Sequence, residues 1–183
     1  MAMCPADDHF VSGANDRSVR LWNLQSRRSL AYLQLPPGSG APIVAYDPTG
    51  RVFAATYTSG NAHHIKMYDA RNFDTGPFET FTFEDHVITS FLVERLDLVL
   101  GIEQAQAAWL GLVFSPDGDH MIVTTKAGVI LVLDAFEGVL VKAFCGRQAD
   151  EGDVTGLHAE TRLRVFMCMR GRSWKVVYDK GVQ

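Results

Sequence analysis

Ser12-Gly13-Ala14-Asn15-Asp16-Arg17-Ser18-Val19-Arg20-Leu21-Trp22-Asn23 is the stretch on which the reading of this chain turns. Phe10 and Val11 run into it. Gly13 to Asp16 reverse the chain, and Val19 and Leu21 return it with apolar residues at every second position, followed by Leu24. Period-two alternation is the signature of a strand with one buried side. Asn and Asp suit the reversal because their side chains hydrogen-bond nearby backbone and tolerate unusual dihedrals. Two short strands joined by a tight polar turn are therefore expected here.

Outward from this stretch, the pair Trp22-Asn23 recurs as Tyr68-Asp69, Leu133-Asp134 and Tyr178-Asp179, at intervals of 46, 65 and 45 residues. A second marker agrees. The prolines of Cys4-Pro5-Ala6-Asp7, Asp47-Pro48-Thr49-Gly50 and Ser115-Pro116-Asp117-Gly118 precede Trp22, Tyr68 and Leu133 by 17, 20 and 17 residues. A propeller blade of the WD type runs about 40–45 residues, so the middle interval holds one blade and roughly 20 extra residues. The expected fold is all-β: a partial β-propeller with two complete and two incomplete blades and one inserted helical or disordered segment. Residues 1–86 hold a partial first blade and the second, 87–107 the insertion, 108–145 the third blade, and 146–183 a degenerate partial fourth. The first blade's inner strand is absent or reduced to Met1–Cys4. In the fourth, strands are expected at Val154–Ala159, Val165–Met169 and Trp174–Asp179. Apolar residues of the insertion fall partly at helical spacing, and Gln104 to Ala108 has good helix propensity. Because propellers close with about 4–8 blades, a fragment of a longer propeller is expected rather than a closed four-blade ring.

Composition narrows the function. A formal net charge of −4 opposes a dedicated nucleic-acid binder. Cys4, Cys145 and Cys168 are far apart and odd in number, which points to reduced thiols rather than disulfides or a zinc site. The greasiest run, Val87 to Ile102, contains Glu94, Arg95 and Asp97, too charged for a membrane span. With no Gly-rich phosphate loop and no metal-ligand spacing, neither catalytic residues nor a cofactor is expected.

The opening stretch resembles strand b, turn and strand c of a WD repeat. In that family a strand-b Ser or Thr, a turn Asp and a strand-c Trp share a buried hydrogen-bond network, and Ser12, Asp16 and Trp22 match those positions. Two further segments narrow the resemblance: Ser59-Gly60-Asn61 followed by Ile65-Lys66-Met67-Tyr68-Asp69-Ala70-Arg71-Asn72-Phe73-Asp74-Thr75-Gly76-Pro77-Phe78-Glu79-Thr80-Phe81, and Trp109 to Gly118 continuing to Leu133-Asp134-Ala135-Phe136-Glu137-Gly138. Together they resemble the Swd-type WD-repeat subunit of COMPASS, a SET-domain histone lysine methyltransferase assembly acting at transcribed chromatin. The resemblance covers about 4–86 and 108–145. It implies a nuclear, non-catalytic scaffold that docks protein subunits of that complex. In fungi it also implies the cleavage and polyadenylation factor of mRNA 3′-end processing, with nucleic acid contacted only indirectly.

In WD propellers the b–c and d–a loops line one face. That would put Asn15, Arg17, Asn61, His63, His64 and Lys126 near it as candidate partner contacts, together with Pro36–Ala41. His63 and His64 are read as loop residues. A metal shared between them is disfavoured, because adjacent strand residues point to opposite sides. His86 is placed at a strand end in a network role. Arg17, Arg20, Arg27 and Arg28 form a local positive cluster, read as a solvated face. Tyr68-Asp69-Ala70-Arg71 resembles the box by which some WD proteins join cullin-type ubiquitin ligases as substrate receptors, which makes Arg71 a further candidate. A non-functional propeller fragment is the remaining alternative.

Overall fold

The computed structural model describes residues 1–38, 40–96 and 108–145, and the backbone of the strands at 165–170 and 173–178. Three antiparallel four-stranded sheets follow one another in chain order. Blade 1 is β1 (Ala2–Met3), β2 (His9–Gly13), β3 (Ser18–Asn23) and β4 (Ser29–Gln34). Blade 2 is β5 (Val44–Tyr46), β6 (Val52–Ser59), β7 (Ala62–Asp69) and β8 (Glu79–Glu84). Blade 3 is β9 (Trp109–Phe114), β10 (His120–Thr125), β11 (Val129–Asp134) and β12 (Leu140–Cys145). Each sheet is an up-and-down meander, the blade pattern of a propeller.

The two sequence rulers reappear as hydrogen bonds. Cys4 N–H donates to His9, Asp47 N–H to Val52 and Ser115 N–H to His120, each to a carbonyl five residues on, closing the turn from strand a to strand b. Leu24, Ala70 and Ala135 each donate to the residue at the foot of strand b, namely Asp8, Arg51 and Asp119. At the position after the strand-c marker, the side chains of Asn23, Asp69 and Asp134 accept the N–H of Gln25, Arg71 and Phe136 at 2.7–2.8 Å. These repeated bonds explain why Asn or Asp recurs there: a short side-chain carbonyl or carboxylate is needed to hold the next turn.

Two expectations are adjusted. The first blade's inner strand is the reduced form, Ala2–Met3 paired with Val11 and Phe10, and it completes a four-stranded sheet. The inserted helix, α1, runs Asp85–Leu96 and so begins before residue 87. Asp85 N–H donates to the Asn61 carbonyl (2.9 Å), an acid sits in the first turn, and the Thr89 and Ser90 hydroxyls bond back to the carbonyls four residues earlier. Residues 104–107 lie outside the described residues. Ala108 is not helical, and its carbonyl accepts the Lys126 N–H.

The inner strands of blade 2, β5 and β6, are buried on both sides, and β5 to β7 send side chains alternately into two cores. Phe53, Ala55 and Tyr68 pack with Val11, Val19 and Leu21 of blade 1. Ala54, Ile65, Met67 and Phe83 pack with Leu112, Val123 and Leu131 of blade 3. Ile88 and Leu92, one helical turn apart on α1, enter the second core. Residues 1–147 form one compact unit and 148–183 a second. In the second, the described part is a β-hairpin, β13 (Val165–Arg170) with β14 (Ser173–Tyr178), registered from Val165↔Tyr178 to Arg170↔Ser173. The strand expected at 154–159 lies outside the described residues.

Candidate partner-binding surface

The b–c turns and the d–a connections meet at one end of the blades. In the first b–c turn Asn15 is exposed and Arg17 half-buried. Arg17 N–H bonds the Ala14 carbonyl, and its own carbonyl receives the Leu35 N–H, which joins this turn to the start of the 35–43 connection. That connection crosses to blade 2 with almost no clearance: a Cβ on Gly13 would overlap the Pro42 carbonyl oxygen, and one on Gly38 the Thr58 carbonyl oxygen. Asn61 is exposed in the second b–c turn, tied to α1 through the Asp85 N–H, and it lines a shallow cleft of about 570 Å³ with Glu84, Asp85, His86, Thr89 and Ser90. Lys126 is exposed in the third b–c turn. Asn15, Arg17, Asn61 and Lys126 thus come from three blades to one loop-bearing end.

Arg17 has φ +66°, the left-handed region, which is costly for a residue with a Cβ. Gly128 occupies the matching position of blade 3 with φ +75°, one residue before strand c and with the same bond to a carbonyl three residues back. Blade 1 therefore keeps a charged side chain where the fold favours glycine.

The histidines depart from expectation. Both lie inside β7, not in a loop, and period two sends them to opposite sides. His64 stacks on Tyr57 (4.5 Å between ring centres), and its Nδ1 lies 3.0 Å from the Thr82 hydroxyl. His63 is only 2% exposed, stacked on Trp109 of blade 3 (4.5 Å), with Nδ1 2.9 Å from the Thr58 hydroxyl and Nε2 3.7 Å from Asp85 Oδ1. Burial lowers its pKa below 6.5, opposed by the Asp85 charge. A side chain so enclosed is not a surface contact, which corrects its candidacy. His86 is also reassigned: it is exposed on the first turn of α1 and pairs with Glu84 at 3.0 Å. Among the described residues no three His, Cys, Asp or Glu side chains are grouped to hold a metal.

Trp22 Nε1 donates to Ser12 Oγ at 2.9 Å. Asp16 stands outside that pair; it accepts from the Ser18 amide and hydroxyl and from Arg20, and so braces the turn. These hydrogen bonds hold its carboxyl below the usual range, the Ser18 hydroxyl contributing most. The positive cluster is accordingly broken up, since Arg20 pairs with Asp16 at 2.8 Å and lies over the Tyr32 ring. Arg71 is at the opposite end, exposed in the c–d turn of blade 2, while Tyr68 of the same box is 3% exposed and stacked on Phe53.

No family model matches the chain. Over 152 residues it is 36% identical to WD repeat-containing protein 82 of Drosophila melanogaster, a match covering 83% of this chain and 40% of that protein. Over 153 residues it is 31% identical to the COMPASS component SWD2 of Saccharomyces cerevisiae, covering 81% of this chain and 38% of that one. It is 28% identical over 134 residues to the Set1 complex component swd2 of Schizosaccharomyces pombe, covering 73% and 31% respectively. The chain is homologous to the Swd2-type WD-repeat proteins. It spans 40% or less of the length of each of these relatives. A solved structure of U3-55K superposes with a TM-score of 0.55 over 80% of this chain and 38% of that one; at 21% identity the likeness concerns the fold alone.

The sequence reading did not foresee the contact between β7 and α1 that buries His63, or two aromatic rings left in the open. Phe78 is 60% exposed and Phe136 is 75% exposed. Phe136 carried a legible signal, an aromatic in a polar turn outside any strand periodicity. The burial of His63 carried none, because Asp85 and Trp109, which cover it, lie 22 and 46 residues further along the chain.

Proposed function

We propose that this chain contributes blades to a non-catalytic WD-repeat scaffold subunit of a nuclear histone lysine methyltransferase complex of the COMPASS type. It docks protein subunits through the end carrying Asn15, Arg17, Asn61 and Lys126, with His64 on the adjoining flank. The observation that carries the reading is the 31% identity to a COMPASS component over 81% of the chain. The geometry supports it: rigid strands hold polar turns from three blades side by side, the usual way a propeller presents recognition loops. A role in mRNA 3′-end processing, through the cleavage and polyadenylation factor, is the finer part of the proposal.

The test is affinity purification of the tagged chain from nuclear extract. A SET-domain methyltransferase is expected in the eluate. Its yield should fall about tenfold in a variant combining Asn15→Ala, Arg17→Ala, Asn61→Ala and Lys126→Ala, whose melting temperature stays unchanged. An eluate without the methyltransferase overturns the proposal. Arg71→Ala, at the other end, should leave the yield intact. A cullin-ligase adaptor that co-purifies and is lost in that variant would favour the substrate-receptor reading instead.

A further inference from the structure

We infer that the groove between blades 2 and 3, at the end opposite the b–c turns, docks a basic peptide segment of a partner protein through one large apolar side chain. The inference does not rest on the methyltransferase reading, since it concerns the other end of the blades. The groove encloses about 220 Å³. Met67 and Phe81 form a buried floor, and Phe78 and Phe136 stand at its sides, largely exposed. Sites for small-molecule ligands hold about 300 Å³ or more; this volume suits a single Leu- or Phe-sized side chain.

The two walls are held from below. Phe78 N–H donates to the Met67 carbonyl (2.9 Å), and Phe136 N–H to Asp134 Oδ1 (2.8 Å). A backbone fixed in this way presents its ring with little ordering cost on binding. Exposed aromatics around a well-packed depression are the residue class that dominates binding energy at interfaces.

Charge selects the occupant. Asp47 and Glu79 belong to the groove's lining, and Asp69, Asp117, Asp134 and Glu137 each lie within two residues of a lining position along the chain. The cations in the adjoining turns are Arg51 and Arg71. The backbone N–H groups of Arg71, for Asp69, and of Glu137 and Phe136, for Asp134, hold these carboxyls below the usual range. The Ser115 hydroxyl does the same for Asp117. Acidic side chains thus outnumber basic ones around the groove, which favours Lys or Arg on either side of the apolar anchor.

The experiment uses the full chain and fluorescein-labelled pentapeptides Lys-Arg-X-Lys-Arg, with X as Phe, Leu or Ala, read by fluorescence anisotropy at low and high salt. The Phe and Leu peptides should bind about tenfold more tightly than the Ala peptide, and all should weaken with salt. Phe136→Ser and Phe78→Ser, both at exposed positions, should abolish the preference for Phe over Ala without lowering the melting temperature. Glu79→Lys should weaken every peptide and flatten the salt dependence. Three results would overturn the inference: equal binding of the Ala peptide, equal binding of Glu-Asp-Phe-Glu-Asp, or a preference that survives both serine variants. Concentration-dependent dimerisation abolished by Phe136→Ser would also overturn it, by giving the groove to a second copy of the chain.

Discussion

Arg17 and Gly128 share one backbone geometry, and the difference between them is a prediction about the residue itself. Arg17→Gly removes the left-handed strain of a Cβ-bearing residue at φ +66°. Stability measured by urea unfolding should stay level or rise by up to about 1 kcal/mol. If Arg17 is a partner contact, binding drops in the same variant, so stability and binding move apart. A clear loss of stability would instead mean that the guanidinium supports the fold. Ser12 makes the opposite case. Ser12→Ala leaves the half-buried Trp22 Nε1 without its acceptor, and the expected cost is about 1–2 kcal/mol in the same assay. Asp16→Ala should act separately, through the turn. The double variant with Ser12→Ala should therefore be close to additive, because the two side chains are not hydrogen-bonded to each other.

Among the elements, α1 is the departure from blade rhythm, and its hold on the blades can be measured. Ile88 is 2% exposed and Leu92 1%, both in the core between blades 2 and 3. Truncating either to Ala should cost about 2–5 kcal/mol. Val87 and Val93, each 47% exposed, should tolerate the same change with little effect. If Ile88→Ala and Val87→Ala cost alike in thermal unfolding, the helix is not packed as described. The helix also explains why blade 2 carries an inward histidine. His63 sits under the first turn of α1, where the ring of Trp109 and the hydroxyl of Thr58 enclose it. Without α1 the Nε2 edge of His63, which faces Asp85 at 3.7 Å, would lose its cover.

For the whole molecule, burial of His63 couples stability to pH. Its folded pKa lies below 6.5, so as pH falls the unfolded chain takes up the proton first. Stability is then full above about pH 6.5 and declines below it. Asp85 works against this shift and His64 with it. His64, lowered by its own partial burial and by Lys66, adds a contribution of the same sign. Melting temperatures between pH 7 and pH 5 should fall less steeply in His63→Gln than in the unaltered chain; equal slopes would refute the coupling. Blade-to-blade contact is tested by Gly13→Ala. The added methyl would overlap the backbone of Pro42 rather than a side chain that can turn aside. The junction of blades 1 and 2 must open, at about 1–3 kcal/mol.

What the amino-acid sequence determined by itself was the part of this protein that repeats. Strand positions, turn residues and the spacing of Trp22, Tyr68 and Leu133 are local matters. They are set by side-chain alternation and by short side chains that hold their own turns, so the sheets are legible in one dimension. So was the gathering of Asn15, Asn61 and Lys126, since a regular meander returns equivalent turns to the same end. The tertiary structure alone decided what happens between repeats. A short β1 still closes its sheet because the pairing energy comes from β2. His63 turns inward because α1 and blade 3 arrive to cover it. Phe78 and Phe136 form one groove because two blades bring together turns almost 60 residues apart. Those outcomes depend on desolvation and close packing across long sequence separations, which no local pattern of polar and apolar residues encodes.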